Sequence, residues 1–172
     1  RVPSNTRATE PFKNRIDGAL VRVLAGHLRR AWRGFPSERF VRQATTGLAE
    51  LELKDRVRHV AAALGSALPA EFPTAADAIE AALRPIAPDA PLSDLVAGDD
   101  GLAGWSIWPL TDYVAAQGLP HCDRALACLR ELTQRWTAEY AIRPFLVAHE
   151  ARTLATLQEW VRDRDRKSTR LN

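Results

Sequence analysis

An all-α fold is predicted from three observations. Apolar residues recur at three- and four-residue spacing through most of the 172 residues, no stretch shows convincing strand alternation, and prolines and glycines punctuate the chain at helix-length intervals. Eight helices follow from that pattern.

The first is expected over residues 14 to 32, where Ile16, Leu20, Val23, Leu24, Leu28 and Ala31 repeat on one side and Arg22, Arg29 and Arg30 lie off it. Gly34-Phe-Pro36 ends it. Ser37 is a natural cap for a second helix carrying Phe40, Val41, Ala44 and Leu48, and a third begins near Leu51 with Leu53, Val57, Val60, Ala61, Leu64 and Leu68, closing by Pro69. Thr74 followed by Asp77 resembles a capping box opening a short, alanine-rich fourth helix that stops before Pro85. From Pro85 to Gly101 three prolines and four aspartates give a loop, long enough to suggest a function. A helix holding Trp105 to Asp112 follows and ends near Gly118-Leu-Pro120; residues 121 to 135, Thr137 to Val147 and Glu150 to Asp163 complete the set.

Helices of this length joined by short turns group into about four antiparallel pairs, each the size of a HEAT-like repeat, so the predicted architecture is a HEAT-like α-solenoid. Asp55-Arg-Val57-Arg58 carries the Asp and Val-Arg pattern such units often show. A compact irregular helical bundle is the alternative. The repeat domain is taken as residues 8–163, with 1–7 and 164–172 as tails. The chain holds no methionine and its hydrophobic period stops after Trp160, so it reads as part of a longer frame, with 164–172 as a candidate non-native end.

Composition narrows the classes. No run approaches the roughly 18 apolar residues of a membrane span and the start is polar, so a cytoplasmic protein without membrane contact is expected. Cys122 and Cys128 lack zinc-site spacing and read as free thiols; His121 beside them supplies too few ligands, so neither metal nor cofactor is expected. Net charge is +3, unevenly spread: the first 60 residues carry 13 Lys and Arg against 6 Asp and Glu, the next 60 carry 1 against 8, and the remainder 10 against 7. Nearly all the basic residues are arginine, whose planar fork suits phosphate. Nucleic acid and a genomic arginine bias explain this equally well, and Arg29, Arg30, Arg33, Arg56 and Arg58 form either a backbone-binding strip or a solvated face.

Two motifs concentrate the chemistry. In Gly104-Trp105-Ser-Ile-Trp108-Pro-Leu-Thr-Asp112, steps of three and four place Trp105, Trp108 and Asp112 on one helix face, so a carboxylate shares a surface with two indoles. In Trp136-Thr-Ala-Glu139-Tyr-Ala-Ile-Arg143-Pro, Glu139 and Arg143 lie one turn apart, most simply as a surface ion pair. Pro109 and Pro144 bend or restart these helices.

These two motifs, with Glu10-Pro-Phe-Lys13-Asn ahead of them, resemble the AlkC branch of the AlkC/AlkD DNA alkylation repair glycosylases over about residues 8 to 163. The resemblance implies a solenoid that grips the DNA backbone on its concave face and hydrolyses the glycosidic bond of bases made cationic by alkylation, such as 3-methyladenine and 3-methylcytosine, without obligatory base flipping. It matches Asp112 to the family's catalytic aspartate and Trp108 to an active-site tryptophan, and places Glu139 and Arg143 in a family motif. The expected partner is alkylated double-stranded DNA and the expected state a monomer. On that reading Asp112, Trp108 and Glu139 are the catalytic candidates, and Trp105, Arg143, Arg29, Arg30, Arg56 and Arg58 the DNA-binding ones. A non-catalytic helical-repeat module for nucleic acid or protein is the competing class.

The residue chemistry agrees. A cationic base is already a good leaving group, so the site need only stabilise a deoxyribose turning positive and position a water, work suited to a carboxylate beside indole faces. No lysine lies between Lys54 and Lys167, so no Schiff-base nucleophile is expected in the central site, and hydrolysis without strand cleavage is the predicted outcome.

Overall fold

Asp17 starts the first helix: its carboxylate accepts the Leu20 amide proton at 2.9 Å and caps α1, Gly18–Ala31. The computed structural model describes residues 10–86 and 95–169, so the tail expected at 1–7 and part of the 85–101 loop lie outside the described residues. Ahead of α1, Phe12–Arg15 form a 3-10 turn rather than the first turn of the helix, and Ile16 is buried in the extended link between them.

The next helices are α2, Ser37–Thr45, α3, Leu53–Ala67, and α4, Phe72–Ala81. Two expected caps are displaced. The first helical bond of α2 runs from the Phe40 amide to the Pro36 carbonyl, which makes Pro36 the cap and leaves the Ser37 hydroxyl buried without a partner. Likewise α4 opens on the Ala75 amide bonding the Glu71 carbonyl at 3.0 Å, with Pro73 in the first turn where no donor is needed, so Thr74 and Asp77 form no box.

The second half holds α5, Ile107–Gln117, α6, Cys122–Thr133, α7, Glu139–Ala148, and α8, Glu150–Thr169. The last helix continues past Asp163, where the sequence pattern ended it, to Thr169; Arg164, Arg166 and Lys167 have good helix propensity. Trp105 falls in a separate 3-10 turn, Gly104–Ser106, so it does not share a helix with Trp108 and Asp112 as predicted. Pro109 is the third residue of α5, a position whose amide has no helical partner, and therefore starts the helix without bending it.

Packing follows the repeat logic. Consecutive helices α1–α2, α5–α6 and α7–α8 contact each other, and helices two apart stack the pairs into rows: α3–α5–α7 on one side, α4–α6 on the other with α1 against α4. The most extensive contact is α3 with α5. Among the described residues there are no strands, only bridges joining Leu83 to Leu102 and Gly98 to Gly101. The molecule is an all-α helical-repeat fold. No described helix is long and apolar enough to cross a membrane. The core runs through every helix layer, from Leu24, Leu28 and Phe40 through Val60, Leu64 and Ile79 to Leu110, Leu129 and Phe145, all fully or almost fully buried.

Candidate active site

Burial on three sides leaves α5 one open edge, and that edge carries Trp108 and Asp112. Ile107, Leu110 and Val114 turn into the core, while Trp108 and Asp112, one turn apart, are half-buried. They line a hollow of ≈ 90 Å³ with Lys54, Val57 and Arg58 of α3 and Tyr140 of α7. Three neighbouring helices of one row thus build it.

The Asp112 carboxyl is raised above its ordinary range, first because burial strips water from it; the nearby Arg58 guanidinium opposes that shift in part. No described side chain hydrogen-bonds or ion-pairs with it. Arg58 itself is exposed and spends one weak contact on Asp55, at 3.3 Å. The Tyr140 ring lies under two cations, Lys54 Nζ at 5.1 Å and the Arg143 guanidinium carbon at 4.9 Å from its centre.

Beside the hollow stands an aromatic cluster. Trp105 is centred 6.1 Å from Trp108, 5.1 Å from Trp136 and 6.3 Å from the exposed Phe12. The two motif indoles are therefore neighbours although they leave different elements. The turn that places Trp105 needs glycine: Gly104 has φ 65°, and a Cβ there would lie 2.6 Å from the Leu95 carbonyl oxygen.

Buried Arg135 anchors this segment. Its Nε donates to the Arg84 carbonyl at 2.7 Å, Nη1 donates to the Glu131 carbonyl at 2.7 Å, and its own carbonyl accepts the Gly104 amide at 3.1 Å.

The remaining candidates scatter. Glu139 faces a second, larger hollow of ≈ 380 Å³ with Trp136, Ile142, Leu157 and Trp160, and pairs with Arg143 at 3.4 Å on the open surface, so its carboxylate does not join Asp112. Arg29 bonds the carbonyls of Arg33 and Phe35 and so closes the end of α1. Arg30 reaches the Asp99 carbonyl at 3.4 Å and lines a recess with Asp99 and Asp100, whose charge opposes an incoming phosphate.

Arg56 is a correction. It is 5% exposed, and its guanidinium donates to four carbonyls: Leu51 at 2.8 Å, Lys13 at 3.0 Å, Ile16 at 3.1 Å and Ala49 at 2.9 Å. Those bonds hold the 3-10 turns before α1 and α3 together and leave it no face for a phosphate. A signal was present in the sequence: Arg56 lies three residues after Leu53 and four before Val60, on the apolar stripe, whereas Arg58 lies off it.

Lys54 and Tyr140 are the residues that sequence reasoning missed. Chain order placed Lys54 outside the central site, but α3 packs along α5 and delivers it to the Asp112 hollow, so the argument from the lysine-free interval fails. No local pattern connects positions 54 and 140; only the stacking of alternate helices does.

Rows of stacked helices with an acidic and aromatic hollow on one row define a helical-repeat protein of the solenoid class. No family model matches the chain. The chain is 31% identical over 153 residues to the uncharacterized protein YhaZ of Bacillus subtilis, covering 88% of this chain and 38% of that protein. Its fold matches the Pseudomonas fluorescens alkylpurine DNA glycosylase AlkC bound to DNA containing an abasic site analog, with a TM-score of 0.73 and 27% identity across 89% of this chain and 39% of that one. The chain thus spans under two fifths of the length of either. The chain is thus similar in fold and sequence to an AlkC-type protein, the resemblance its two motifs carry.

Proposed function

We propose that this protein is a DNA repair glycosylase that hydrolyses the N-glycosidic bond of cationic alkylated bases of the 3-methyladenine and 3-methylcytosine type. The observation that carries the reading is Asp112: a half-buried carboxylate with no described partner, beside an indole, in a hollow flanked by cations. A carboxylate kept unpaired at a desolvated position costs stability, so its placement is explained by a charge it meets only transiently.

In the proposed reaction the C1′–N bond breaks with its electron pair leaving on the base, which departs neutral because it began cationic. Positive charge then grows on the deoxyribose, where ionised Asp112 opposes it electrostatically and the Trp108 face adds a cation–π attraction of about 1–2 kcal/mol. Water forms the new bond to C1′ and loses its proton to solvent or to Asp112. No general acid is needed.

Cleavage without obligatory base flipping belongs to the same reading, as the family resemblance implies. Of the other candidates, Trp105 is assigned to support Trp108 through ring contact, Arg58 and Arg143 to phosphate, and Glu139 to steadying Arg143.

The test is release of 3-methyladenine from methylated duplex DNA. Wild type leaves abasic sites that heat converts to breaks, and Asp112→Asn loses roughly a hundred- to a thousandfold in rate. Binding of the same DNA without release by wild type would establish a recognition module instead.

A further inference from the structure

We infer that Lys54, Tyr140 and Arg143 form a seat for the sugar-phosphate strand beside the reacting nucleotide, with Tyr140 as the positioning residue that holds the two cations. This rests on the glycosylase reading for its substrate, duplex DNA, and adds Lys54 and Tyr140, to which that reading gives no role, beside Arg143.

Three observations carry it. Lys54 leaves α3 and Tyr140 leaves α7, yet the lysine Nζ lies 5.1 Å from the ring centre, so the pair spans α5, the helix that carries Asp112. Arg143, one turn along α7, lies 4.9 Å from the same ring. Both cations are therefore held by one aromatic ring beside the hollow, where neighbouring phosphates of one strand, which advance about 3.4 Å each along the helix axis, can meet them.

Charge balance points the same way. Lys54 and Arg58 are like charges one turn apart on α3, an arrangement that weakens a helix by a few tenths of a kcal/mol and so is no stabilising device. The acids nearby are few: Asp55 on Arg58 at 3.3 Å, Glu139 on Arg143 at 3.4 Å, both exposed pairs that salt screens, and Asp112 itself. Lys54 has no carboxylate within ion-pair distance among the described residues. An anion brought to this rim relieves the repulsion among three cations and at the same time draws their field away from Asp112, where net positive charge would oppose a cationic sugar.

The aromatic contact separates positioning from mere exposure. A phenylalanine ring keeps the quadrupole that attracts both cations; leucine does not. The experiment measures affinity for a duplex containing a tetrahydrofuran abasic analogue across a potassium chloride series, using wild type, Lys54→Met, Tyr140→Phe and Tyr140→Leu. Each lost phosphate contact lowers the steepness of log K against log salt by about 0.9. Lys54→Met is expected to lose about one contact, Tyr140→Leu between one and two, and Tyr140→Phe none. An unchanged slope in Lys54→Met, equal slopes for Tyr140→Phe and Tyr140→Leu, or no salt-dependent binding by wild type overturns the seat. Because the analogue has no base to release, the seat and the chemistry fail separately: base release by wild type with unaltered slopes removes the seat and keeps the enzyme, and the expected slopes without base release do the reverse.

Discussion

Arg56 and Arg58 sit two residues apart on α3 and offer a paired test of what separates a structural arginine from a DNA-facing one. Arg56→Met removes four hydrogen bonds while keeping an apolar stem of similar reach. Only the contact with the Ile16 carbonyl is fully buried. Leaving that oxygen unpaired costs about 1–3 kcal/mol, and the carbonyls of Lys13, Ala49 and Leu51, which water can partly reach, lose about 0.5–1.5 kcal/mol each. Non-additivity brings the expected loss to about 3–5 kcal/mol. For a chain of this size that lowers the melting temperature by about 6–20 °C. Urea denaturation followed by tryptophan fluorescence measures the first quantity, and the salt series for duplex binding measures the second property, phosphate contact. Arg56→Met should lose stability and keep the wild-type salt slope. Arg58→Met, at an exposed position, should change stability by less than about 0.5 kcal/mol and lose about 0.9 in slope. A stability loss below about 1 kcal/mol for Arg56→Met together with a reduced slope would refute the assignment and return Arg56 to the DNA-facing strip.

Two further expectations follow from the site and its support. Burial holds the Asp112 carboxyl above its ordinary range, so the native state takes up a proton before the unfolded chain does as pH falls; the ionised side chain therefore costs stability above that raised value, and Asp112→Asn should be more stable than wild type at pH 7, with the gap closing toward and below the ordinary aspartate range. Base release by wild type should fall on the acid side at a pH above that range, and Arg58→Met should move this limb higher; a rate that stays level down to pH 4 would contradict it. Gly104→Ala puts a Cβ against the Leu95 carbonyl at positive φ and should cost at least about 1–3 kcal/mol in urea denaturation, an expectation undone by a variant within about 0.5 kcal/mol of wild type.

The sequence carried most of the architecture because eight apolar stripes at helical spacing are local signals, and each element needs only its own residues to be read. Helix starts were less legible. Ser37 and Thr74 are good caps by residue type, but Pro36 and Pro73 each fit the first positions of a helix without a lost bond and shifted the start. At the site, Trp108 and Asp112 were legible since one turn of one helix joins them. Trp105 reached the same place by another route, through a turn whose geometry depends on Gly104 and on the distant Arg135. Lys54 and Tyr140 were invisible because their meeting depends on how α3, α5 and α7 stack. Glu139 shows the limit of spacing arguments from the other side: a residue can lie in the right motif and still turn to the neighbouring hollow, leaving the next residue, Tyr140, to face Asp112.

The clasp formed by Arg135 separates two parts of the molecule. Its side chain fixes the Arg84 end and its backbone fixes Gly104, while the Leu83 to Leu102 bridge ties the same two stems directly. The two stems are thereby closed on each other, so the turn that carries Trp105 is tied to the segment leaving α4 as well as to its own helix.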